Sequence, residues 1–155
     1  MNREIKFRGL TNNGTWVYGN LIQGKNGACY ICSINENPVY KSGDYWYIDS
    51  PCYVVIPETV GQFTGFKDFD EKEIYEGDIL EYVSYMRDEN KRKEIVGFDE
   101  KCGGWYVHKQ ADTLSDILFK QHNEEWQLKQ NYKPSIKHKV RVIGNIYENP
   151  ELLTI

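Results

Sequence analysis

Turn-forming residues recur about every ten positions along this chain, and the runs between them are short, β-branched and aromatic. That rhythm leaves little room for long helices and describes an all-β protein. The runs 4–8, 16–22, 28–34, 45–48, 52–56 and 58–63 read as strands. Thr11, Asn12, Asn13 and Gly14 join the first two as a hairpin. Pro57 biases Ile56 to an extended backbone. Residues 67–73 are charged and polar and read as a turn, after which Gly77 and Asp78 open a strand over 79–85. Residues 87–93 carry charges and amides, which predicts a solvated loop, and a hairpin over 94–99 and 104–109 follows. Leu114, Ile117 and Leu118 stand at i, i+3, i+4 behind Asp112 or Thr113 as N-cap, the pattern of one short helix. Residues 125–129 and 139–147 complete the strands, the last one stopping near Pro150.

A chain of 155 residues suffices for one domain, or for a small barrel with an appended subdomain. The order after Gly77 is a glycine–aspartate start, a hairpin, a short helix and a closing strand, which resembles a small SH3-like barrel. Such barrels remove exposed edges by closing. The expected fold is therefore mainly β. An N-terminal antiparallel sheet subdomain takes residues 1–66 and an SH3-like barrel with one short helix takes 74–150, the alternative being a single domain over 1–153.

Composition excludes more than it assigns. A net charge of −4 argues against general attraction to the nucleic-acid backbone, which needs lysine and arginine to neutralise phosphates. No apolar run approaches the ~20 residues of a membrane span. Charges at Arg3, Glu4 and Lys6 occupy the place where a signal peptide needs an apolar core, so a cytoplasmic protein with no membrane partner is expected. In that compartment Cys29, Cys32, Cys52 and Cys102 should be thiols. Cys29 and Cys32 have C-x-x-C spacing, but zinc wants a second such pair, and His108, His122 and His138 are scattered. On a strand the two cysteines would also face opposite ways. Neither a metal nor another cofactor is expected.

Glu58, Glu76 and Asp78 are the carboxylates that could support hydrolysis, provided that one is buried enough to shift its pKa. Asp78, after Gly77, has an ordinary alternative in capping the backbone. The acidic run 68–73 has neither the glycine nor the bidentate glutamate of a calcium loop and reads as a solvated turn. Two basic clusters could hold phosphates with aromatic rings nearby: Lys91, Arg92 and Lys93, and Lys137, Lys139 and Arg141. Asp88, Glu89 and Glu94 flank the first, which favours a solvated face.

Three blocks carry a family likeness. The first is Arg3 to Gly9 followed by Trp16, Val17, Tyr18 and Gly19. The second runs from Val55 through Gly61 and Gly65 to Glu73, Ile74, Tyr75, Glu76, Gly77, Asp78, Ile79 and Leu80. The third runs from Val142 through Gly144, Asn145 and Pro150 to Leu153. In this order the chain resembles the YopX-like family of phage and prophage proteins. It departs from that pattern at Asp70, Glu71 and Lys72, where an Asn-Gly turn would be expected. The resemblance implies a small β-rich protein encoded by a phage or prophage, with no assigned activity and no catalytic residues to carry over. The expected role is thus non-catalytic: an accessory protein in the bacterial host cytoplasm that binds another macromolecule, a protein before a nucleic acid, and that self-associates. The alternatives are a nucleic-acid-binding accessory using the two basic clusters, and a small hydrolase using Glu58 or Asp78.

Overall fold

The computed structural model describes residues 4–33, 39–48, 51–83, 91–100, 103–107 and 140–153. The chain divides into two units, Met1–Phe63 and Thr64–Ile155, with β7 running through the division. Every strand pair described is antiparallel. No α-helix occurs among the described residues, and none of their helical turns is long and apolar enough to cross a membrane.

In the first unit, β1 (Phe7–Leu10), β2 (Trp16–Gln23), β3 (Cys29–Cys32), β6 (Cys52–Val55) and the start of β7 (Gly61–Lys67) lie in the order β6-β3-β2-β1-β7. The hairpin of β4 (Val39–Ser42) and β5 (Tyr45–Ile48), which follows β3 and precedes β6 in the chain, is a separate two-stranded sheet. The first turn forms where the spacing predicts it: Gly14 adopts φ 80° and donates to Thr11 O, while Thr11 N donates to Thr15 O, both at 2.9 Å. Cys29, Ile31 and Val55 form the buried core, with Phe7, Val17, Leu21 and Val60 packed against it. Gly9 is part of that packing, since a Cβ there would stand 2.8 Å from Val55 Cγ2.

Two expectations are corrected in this unit. The strand over 58–63 is a 3-10 turn, Pro57–Thr59, and β7 begins only at Gly61. Proline suits the first position of such a turn, where its missing N–H is not needed. The buried Thr59 hydroxyl holds it, donating to Ile56 O at 2.7 Å and accepting from Leu10 N at 2.9 Å. The cysteines are not all thiols either. Cys32 and Cys52 are directly opposite in the β3–β6 register and form a disulfide; Cys29 is free and buried, and Cys102 lies outside the described residues. A directly opposed antiparallel pair brings two Cβ atoms within bonding reach of their sulfurs, whatever the separation in sequence.

The second unit adds β8 (Glu73–Tyr75), β9 (Asp78–Val83), β10 (Lys91–Asp99), β11 (Gly104–Val107) and β12 (Arg141–Asn145). Its four-stranded sheet has the order β11-β10-β9-β12, and β8 neighbours β7. Ile74, Leu80, Tyr82, Val96, Val107 and Val140 make its core, with Phe66, Trp105 and Val142 at the margin. Among the described residues the sheet is open and no closed barrel is present. The helix expected near 112–118 and the strand at 125–129 lie outside the described residues. Lys91, Arg92 and Lys93, expected in a solvated loop, belong to β10, because each has a cross-strand partner on β9: Val83, Tyr82 and Glu81 respectively.

Candidate interaction surface

Register decides which charged residues meet. Lys93 on β10 and Arg141 on β12 both stand opposite Glu81 on β9, so the three form one row across the sheet. Strand spacing separates the two cations by about 10 Å with the carboxylate between them. Arg141 Nε donates to Asp70 Oδ2 at 2.7 Å, extending the row by a fourth charge, and its guanidinium lies 5.9 Å from the Phe69 ring centroid. Along β10, Ile95 follows Lys93 on the same face and is 37% exposed. Gly97 comes next, beneath Tyr106, whose Cζ would be 2.6 Å from a Cβ at that position. The surface is therefore an alternating row, plus-minus-plus-minus, bordered by an aliphatic side chain and an aromatic ring.

The basic clusters are only partly united. Lys93 and Arg141 share this row, and Lys91 shares the strand parity of Lys93. Arg92 pairs with the buried Tyr82 and so belongs to the opposite face. Lys137 and Lys139 lie outside the described residues. Phosphate tracking needs a run of uncompensated cations. In this row each described cation has a carboxylate as its neighbour. Patterned charge of both signs suits a complementary protein surface instead.

Asp70 is held beside Arg141 by the first residue of its own acidic run. Asp68 is only 2% exposed. Its Oδ1 accepts from Asp70 N at 2.8 Å and Lys72 N at 2.9 Å, while Oδ2 accepts from Val142 N at 2.9 Å. Phe69 N also donates to Val140 O at 3.0 Å, so the turn is laced to the start of β12. The expectation of a solvated turn therefore holds for Asp70, Glu71 and Lys72, which are exposed, and fails for Asp68. The signal was an aspartate preceding amides two and four residues on, the pattern of an Asx turn.

The candidate hydrolytic carboxylates have structural surroundings. Glu58 is exposed on the 3-10 turn of the first unit, whereas Glu76 and Asp78 belong to the second. Asp78 is 1% exposed, and its Oδ2 accepts from Tyr75 N at 2.8 Å, closing the turn between β8 and β9. Tyr75 OH in turn donates to Glu73 Oε2 at 2.8 Å. Among the described residues no three histidine, cysteine, aspartate or glutamate side chains are gathered as metal ligands.

The remaining family-like residues knit the same region. Gly77, at φ 81°, donates to Val96 O and accepts from Ile146 N, both at 2.9 Å, and lies under Tyr147. Asn145 is buried; its Oδ1 accepts from Tyr147 N and Glu148 N at 3.0 Å each, and its Nδ2 donates to Glu148 Oε2 at 2.6 Å. Gly144 leaves room for Asn149, whose Oδ1 would be 2.6 Å from a Cβ there. These residues are consumed in holding turns.

Comparison with known proteins agrees with that architecture. The family model described as YopX protein matches residues 6–154. No curated protein matches the chain. Among solved structures, the crystal structure of protein EF1440 from Enterococcus faecalis is similar with a TM-score of 0.58 and 23% identity, over 98% of this chain and 99% of that one. At that identity the likeness speaks for the fold.

Proposed function

The chain belongs to the YopX family, and from that premise we propose a non-catalytic accessory protein, encoded by a phage or prophage, that binds a protein partner in the bacterial host cytoplasm. The observation that carries this reading is the alternating row Lys93, Glu81, Arg141 and Asp70, bordered by exposed Ile95. Such a row offers a partner two cations and two anions at fixed spacing, with apolar area beside them to desolvate. It gives a polyanion little, since the phosphates that approach the cations also approach Glu81 and Asp70. Self-association is a companion proposal, the second copy being one protein partner among others.

The test is affinity purification of the tagged chain from host cytosol, with and without nuclease, together with a Lys93→Glu/Ile95→Asp variant. A stoichiometric protein that survives nuclease and is lost with the variant supports the reading, and light scattering of the pure chain tells whether that protein is a second copy. Co-purifying nucleic acid that nuclease removes, with no protein retained, overturns it in favour of phosphate binding through the basic clusters.

A further inference from the structure

Cys32 ends β3, Cys52 begins β6, and the bond between them spans a sequence separation of 20 residues. The β4–β5 hairpin falls between the two cysteines in the chain. One residue inside the bond on each side, Ser33 N donates to Pro51 O at 3.1 Å, so a hydrogen bond stands beside the covalent one.

The two cysteines are held differently. Cys32 is buried, and its carbonyl passes so close to Gly19 that a Cβ there would stand 2.0 Å from it. β3 is thus locked between β2 and β6. Cys52 is exposed and starts the outermost strand in the sheet order; of the four residues of β6 only Val55 is buried. Tyr53 and Val54 are 43% and 54% exposed, so little packing holds the outer part of that strand. Local opening begins where few apolar contacts hold a strand.

We propose that the Cys32–Cys52 disulfide is a redox-operated clasp. Oxidised, it pins the start of β6 to β3; reduced, it releases Cys52–Val54 while the core of Cys29, Ile31 and Val55 stays folded. On closing, the Cys52 thiolate attacks a small-molecule disulfide such as oxidised glutathione, whose S–S bond breaks and releases one glutathione thiolate. The Cys32 thiolate then attacks the Cys52 sulfur of the mixed disulfide, forming the protein bond and releasing the second glutathione. The two cysteine thiols give up two electrons and two protons, and one glutathione disulfide becomes two thiols. Excess reduced glutathione drives the reverse. Cys29 stands apart from this exchange: it is buried and in register with Val55.

The test uses the full chain. After incubation with oxidised glutathione and alkylation, peptide mapping without reduction should show one cross-link, Cys32 to Cys52. Amide exchange at Cys52–Val54 should then quicken at least about tenfold in excess reduced glutathione, with β9 and β12 unchanged. Reoxidation should restore protection. Cys29→Ser should respond like the unaltered chain, and Cys52→Ser should exchange like the reduced form whatever the redox buffer. No cross-link after oxidation overturns the proposal, as does unchanged exchange in β6 or an equal acceleration throughout the chain. If Cys52→Ser fails to fold, the reversible cycle of the unaltered chain still decides.

Discussion

Replacing Asp68 by alanine should destabilise the second unit by about 3 kcal/mol, whereas replacing Asp70 should cost less than about 0.5 kcal/mol. The two aspartates belong to one acidic run, and the contrast comes from where their carboxylates go. Asp68 is 2% exposed and accepts three backbone amides. Its bond from Val142 N joins the turn to β12 in a partly buried setting, and losing a charged acceptor there is worth about 2 kcal/mol. Asp70 and Lys72 are exposed, so their freed amides can turn to water, at about 0.5 kcal/mol each. Asp70 loses only an ion pair with Arg141 whose side chains are 55% and 47% exposed, and such pairs contribute little. Asp68→Asn should lie between, near about 2 kcal/mol, because one amide oxygen can serve the turn while an NH2 group then confronts Val142 N. Amide exchange of the slowest β9 protons reads the difference, since about 3 kcal/mol is on the order of a hundredfold or more in rate. Equal effects of the two alanine substitutions, or an Asp68→Ala chain within about 0.5 kcal/mol of the original, would refute the reasoning.

Four further outcomes follow from local geometry. Gly19→Ala places a Cβ 2.0 Å from Cys32 O and should cost about 3 kcal/mol in thermal unfolding. Gly14→Ala, with φ 80° but no atom within 4 Å, should cost only about 1 kcal/mol. Thr59→Val leaves Leu10 N and Ile56 O without their hydroxyl partner and should lose about 2 kcal/mol in urea unfolding, while Thr59→Ser stays close to the original. Opening the Cys32–Cys52 loop, of sequence separation 20, should lower the stability of the first unit by about 3 kcal/mol through chain entropy, read as a reductant-dependent melting temperature.

What could be read without coordinates was whatever depends on nearest neighbours. Alternation and turn chemistry located β2, β5, β9 and the β10–β11 hairpin, because each is announced by its own residues and by glycines such as Gly14 and Gly103 at φ 80° and 67°, whereas β1, expected over 4–8, runs Phe7–Leu10. Local signals failed where a side chain serves a distant backbone. Thr59 turns a β-like stretch into a 3-10 turn by bonding Leu10, 49 residues away, and Asp68 organises its turn through Val142, 74 residues away. Lys91 to Lys93 read as a loop because their charges look solvated, yet strand pairing with β9 places them in a sheet. The β4 strand escaped notice because Val39–Ser42 is short and is defined by its pairing with β5.

The same distinction separates fold from function in this chain. Gly77, Asp78, Gly144 and Asn145 carry the family likeness, and each is accounted for by a turn, a close approach or a backbone bond. A residue so engaged is unavailable to a partner without unmaking the fold. The charged row draws on other positions: Glu81 and Lys93 lie outside the family-like blocks, and Arg141 just before the third. Local charge marks Lys93 and Arg141 as basic clusters but not their row with Glu81, because Glu81 and Arg141 are 60 residues apart in the chain and become neighbours only through the β9–β12 register. The proposed surface therefore draws on positions other than those that hold the frame. A scan of surface charge reversals at Glu81, Lys93 and Arg141 should change partner capture while leaving unfolding within about 1 kcal/mol, since exposed charges contribute little to stability. Loss of folding in those variants would show that the row belongs to the frame after all.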